Sequence, residues 1–119
     1  MKFLIDLNNR LWIPATFLVL VAITAASLWP ADQLPKVPGT DKTHHFIAYF
    51  LLMLPMAIRK PKYWQGFAVF FIAWSGAIEL IQPYVNRYGE WLDLAANAGG
   101  VFLAIMLAWL GNILMKKGV

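Results

Sequence analysis

Ten polar residues in an otherwise apolar chain are of types that do chemistry: Asp41, Lys42, His44, His45 and Tyr49, then Glu79 and Gln82, then Arg87, Asp93 and Asn97. Lys42, Arg87 and a protonated His45 can hold phosphate or carboxylate oxygens through charge-assisted hydrogen bonds. Glu79 and Asp93 are the candidate general acid or base, with His45 as a third candidate for that catalytic role. Asp41, Lys42, Tyr49, Gln82, Arg87 and Asn97 form the accompanying ligand-binding set, with the Tyr49 hydroxyl as a donor into it. His45, Glu79 and Asp93 also offer nitrogen and oxygen ligands, but no HxxxH or HExxH spacing occurs, and His44 and His45 project about 100° apart on a helix. No metal and no cofactor is therefore expected from the sequence. The absence of cysteine excludes disulfides, thiolate nucleophiles and Cys-based metal sites.

Such residues act together only if the backbone gathers them, and their spacing says how. Asp41, His45 and Tyr49 fall at i, i+4 and i+8, one stripe down a helix. Ser75, Glu79 and Gln82 repeat the arrangement on a second helix. Asp93, Asn97 and Gly100 follow i, i+4 and i+7 on a third, where Ala96 and Gly100 make a small-xxx-small pair that admits a close helix neighbour. Three polar stripes of this kind can meet inside a bundle.

The surrounding composition makes that bundle a membrane one. Hydrophobic residues are 61% of 119 and charged residues 13%, with mean hydropathy +0.61, which is hard to reconcile with a water-facing surface. Apolar runs predict four spans at about residues 11–29, 43–58, 64–81 and 91–114, giving an all-α, four-transmembrane-helix bundle forming a single domain over residues 1–119. The second run is short, so its polar first turns must lie at the interface or against other helices. The segment between spans one and two is rich in proline and reads as a connection, and Pro55 is placed to kink span two. Trp12, Trp29, Trp64, Trp91 and Trp109 lie near span ends or in lipid-facing runs, as interfacial anchors do, so the aromatic content is no nucleic-acid platform.

Lys2 and Arg10 ahead of the first run, and Ala25, Ala26 and Ser27 near its end, also fit a secretory signal. The run exceeds the ~7–15 residues of a signal core, so a retained span is expected. Seven Lys and Arg fall on one side (Lys2, Arg10, Arg59, Lys60, Lys62, Lys116, Lys117) and three on the other (Lys36, Lys42, Arg87). Both termini are then cytoplasmic and the polar stripes face outward. The net charge of +4 is explained by this topology rather than by nucleic acid.

The run of Asp41, Lys42, His45, Phe46 and Tyr49, followed by Glu79 with Gln82, Arg87, and Asp93 with Asn97 and Gly100, resembles the VanZ-like family over about residues 41–104. Three motifs occur in the family's order. The family is named for a membrane protein associated with low-level teicoplanin resistance, and the resemblance implies a small, multi-pass protein of the bacterial inner (cytoplasmic) membrane.

Two classes of function fit these residues. In the first, an outward-facing site binds or processes a lipid-linked or phosphorylated envelope ligand, such as a lipid-linked cell-wall precursor; the residue types suit binding and catalysis alike. In the second, the protein is a non-enzymatic scaffold or homo-oligomer subunit, with Ala22 and Ala26 as a small-residue face and the polar cluster serving to cap helices and lock the bundle. A transporter is disfavoured by the lack of inverted repeats and discontinuous helices.

Overall fold

The computed structural model describes residues 2–29, 41–85 and 91–116, and within them the chain is helical with no strand. Four helices follow one another: α1 (Lys2–Leu28), α2 (Asp41–Arg59), α3 (Trp64–Ile81) and α4 (Trp91–Lys116), with a 3₁₀ turn, Gln82–Val85, extending α3. By length and composition α1, the α3 segment through Tyr84, and α4 can each cross a membrane. Large apolar side chains such as Phe17, Leu18, Val69, Phe102 and Met106 are exposed along all three. A water-soluble protein does not carry such a surface, whereas lipid favours it.

Cross-helix contacts fix the directions. Asn8 near the start of α1 donates to the Pro55 carbonyl near the end of α2 (3.0 Å), so these two run antiparallel. Trp74 Nε1 donates to Thr24 Oγ1 (3.0 Å), and Gln82 Nε2 donates to the Ser27 carbonyl (3.1 Å) further along both chains. Helices α1 and α3 therefore run together, with α2 and α4 opposed to them. The ends of α1 and α3 and the starts of α2 and α4 meet at one end of a body measuring 50 × 25 × 23 Å.

Helix α2 is the central member. Tyr49, Leu52, Met53, Met56 and Ala57 are all buried, an i, i+3, i+4, i+7, i+8 face, while Ile47, Leu51 and Ile58 lie on its exposed side. This explains why α2 is less apolar than its neighbours: much of its surface meets protein. Its principal partner is α4, and Gly100 is the reason the two approach so closely. A Cβ at Gly100 would collide with the Phe46 carbonyl oxygen and stand 2.9 Å from the Phe50 amide nitrogen, and one at Gly99 would stand 3.1 Å from the Phe46 ring. Gly100, one member of the small-residue pair expected on the last helix, makes this contact, with the backbone of α2 as its partner.

The α2–α3 connection is tight. Lys60 adopts φ 50°, a left-handed conformation usually given to glycine, and its amide donates to the Met56 carbonyl (2.8 Å) to end α2. Pro61 then prevents continuation, its carbonyl accepts from the Trp64 amide (3.1 Å), and Lys62 Nζ lies 5.4 Å from the centre of the Tyr63 ring. Helix α1 begins at Lys2, ahead of the apolar run that starts near Leu11, and continues through Pro14. The Asn8 bond to α2 gives this polar extension a docking point that composition does not reveal.

Candidate functional site

Helix α2 supplies Lys42 and His45 from its first two turns and Tyr49 from the next. Helix α4 supplies Asp93 from its first turn, where the helix dipole favours a carboxylate, and Asn97 one turn later. Helix α3 supplies Ser75 and Glu79, and the 3₁₀ turn supplies Gln82. Glu79 sits in the last turn of α3, where the dipole opposes its charge, so its environment must compensate.

These side chains form two layers. In the outer layer Asp93, 6% exposed, lies 3.6 Å through Oδ2 from His45 Nε2 and 3.7 Å through Oδ1 from Lys42 Nζ. Glu79, 5% exposed, joins them: one ligand atom each from His45, Glu79 and Asp93 fall within 4.8 Å of one another. Lys42 is the accessible member, with 45% of its side chain exposed. In the inner layer the Asn97 amide donates to Ser75 Oγ, and the Tyr49 hydroxyl shares a side-chain hydrogen bond with the same serine. Tyr49, Ser75 and Asn97 are almost wholly buried, so this layer seals the site from below and joins three helices. Gln82 closes the side toward α1 through the Ser27 carbonyl.

Of the residues singled out by sequence, Lys42, His45, Tyr49, Glu79, Gln82, Asp93 and Asn97 are thus drawn to one end of the bundle. Asp41 opens α2, but its side chain lies outside the described residues, as does all of Arg87. His44 is half-buried beside the site. The sequence reading did not assign a site role to Ser75 or to the Ser27 carbonyl. Ser75 carried a signal, being one turn before Glu79 on the same stripe; a backbone carbonyl carries none. Thr16, Ile23 and Ser27 form the buried face of α1, and Ala22 and Ala26 lie on its exposed side.

Chemically, the site pairs two buried carboxylates with an ammonium at the rim and an imidazole between. Each carboxylate at membrane depth would cost about 2.5–3.5 kcal/mol if isolated, which the clustering with Lys42 and His45 offsets. A family model described as VanZ/LLP1 matches residues 5–114. No curated protein and no solved structure matches the chain.

Proposed function

Because the chain belongs to the VanZ/LLP1 family, we propose that it is a multi-pass protein of the bacterial inner membrane that binds a phosphorylated, lipid-linked envelope ligand at the outer leaflet. In this reading all four helices span, both termini are cytoplasmic, and the polar site faces outward, as the distribution of Lys and Arg favours. Occupying or altering a cell-wall precursor there would connect the protein to low-level teicoplanin resistance. The observation that carries the reading is Lys42: a half-exposed ammonium at the mouth of a buried carboxylate and imidazole cluster, positioned to receive an anionic headgroup. Glu79, Asp93 and His45 are the groups able to move a proton on such a ligand.

The test is binding by the purified full chain in lipid nanodiscs to a long-chain isoprenyl phosphate and to the matching alcohol. Preference for the phosphate by at least about tenfold, lost in Lys42→Ala, is expected of a charge-assisted contact. Equal binding of phosphate and alcohol would overturn the reading.

One feature favours the competing scaffold or homo-oligomer reading: α1 buries only Thr16, Ile23 and Ser27, and Ala22 and Ala26 lie on the outer side. Small residues in such a position admit a second helix. Stoichiometric cross-linking between chains through α1, together with no ligand preference, is the outcome that selects it.

A further inference from the structure

We infer that His45, Glu79 and Asp93 form a site for a first-row divalent cation of the Zn²⁺ or Mn²⁺ class. Their three ligand atoms come from three helices and lie within 4.8 Å of one another. One imidazole nitrogen and two carboxylate oxygens are ligand types that first-row divalent ions accept. Two ligands of one such ion, each at about 2.1 Å, stand roughly 3.0–3.4 Å apart at octahedral or tetrahedral angles. The His45 Nε2 to Asp93 Oδ2 separation of 3.6 Å is near that spacing and is too long for a hydrogen bond. Binding one ion requires the wider separations, up to 4.8 Å, to close toward that spacing.

Independent observations point the same way. Asp93 Oδ1 is buried and takes no hydrogen bond, and Lys42 Nζ stands 3.7 Å from it. Asn97 and Gln82, 2% and 1% exposed, use their amide nitrogens on Ser75 and Ser27, while both amide oxygens accept no hydrogen bond. Asn97 is one turn from Asp93, and Gln82 one turn from Glu79. Among the described residues, the unbonded buried oxygens of Asp93, Asn97 and Gln82 beside this cluster suit a cation. A divalent ion neutralises Glu79 and Asp93 and, with Lys42, leaves the centre net positive. Imidazole in the donor set suits Zn²⁺ better than Mg²⁺ or Ca²⁺, and the two carboxylates admit Mn²⁺.

The ion would occupy the cluster that the proposed function also uses, but its binding does not depend on that reading, and its test uses no phosphate ligand. The full chain in nanodiscs is stripped with chelator and titrated calorimetrically with Zn²⁺, Mn²⁺, Mg²⁺ and Ca²⁺. About one equivalent of Zn²⁺ or Mn²⁺ should bind, more tightly than Mg²⁺ or Ca²⁺, and weaken by at least about tenfold in His45→Gln and Asp93→Asn, with helical content retained. Absence of stoichiometric binding to the wild-type chain, or undiminished affinity in both variants, would overturn the site. Should the variants fail to fold, pulsed electron paramagnetic resonance of Mn²⁺ on the wild-type chain decides. Coupling to a directly bound imidazole nitrogen is expected, and its absence overturns the assignment.

Discussion

His45 Nε2 stands 3.6 Å from Asp93 Oδ2, across two helices that run in the same direction and touch backbone to backbone at Gly100. The two residues are 48 positions apart in the sequence. Their meeting depends on how closely α2 and α4 approach, and that approach depends on an absent side chain. The polar site and the packing of the bundle are therefore linked properties.

Gly100→Ala tests that link. A methyl group there meets the Phe46 carbonyl, which is backbone and cannot rotate away. The variant should lose about 1–3 kcal/mol in equilibrium unfolding in mixed micelles, the usual cost of overpacking. Gly66→Ala, where a Cβ meets nothing within 4 Å, should be close to neutral in the same assay. Equal stability of the two variants would show that α2 and α4 are not in backbone contact.

The inner layer can be probed by a double-mutant cycle on Ser75→Ala and Asn97→Ala. Interhelical hydrogen bonds in membranes couple by about 0.6 kcal/mol on average and up to about 1.7. The Asn97–Ser75 pair, buried and shared with Tyr49, should lie in the upper half of that range. Additive single-mutant effects would remove it as a joint between α3 and α4.

At the α2–α3 turn, Lys60→Gly should stabilise the chain by up to about 1 kcal/mol. The left-handed φ of 50° costs a side-chain-bearing residue energy that glycine does not pay. Unfolding in the same micelles reads the gain. A loss of stability instead would mean that the lysine head group contributes more than its backbone strain costs.

Orientation is open to cysteine labelling, because the natural chain has no cysteine to confuse the signal. In intact cells, Tyr84→Cys at the polar end should react with a membrane-impermeant thiol reagent, and Lys62→Cys at the opposite end should react only after the membrane is opened. Both positions are exposed. The reverse pattern would put the polar site on the cytoplasmic side.

Much of this was legible in the chain. The limits of α3 match the apolar run at residues 64–81, and α4 starts at Trp91 as the return of apolar residues implies. The stripe from His45 to Tyr49 and that from Asp93 to Gly100 face the interior because period 3.6 dictates it. Other features had no one-dimensional trace. Helix α1 starts at Lys2, and Asn8 within that early stretch meets a carbonyl 47 positions away. Spacing along the chain argues against a metal at His45, since both neighbours in the cluster come from other helices. Ser27 enters through its backbone, which every residue possesses.

Gly100 also divides α4 unequally. About 10 Å of helix axis separates it from Asp93, and about 24 Å separates it from the Lys116 end, at 1.5 Å per residue. With the two backbones touching at that point, it is an off-centre fulcrum. Any tilt of α4 against α2 swings the Lys116 end more than twice as far as it shifts the carboxylate, so a small adjustment around Asp93 becomes a larger stroke at the opposite face.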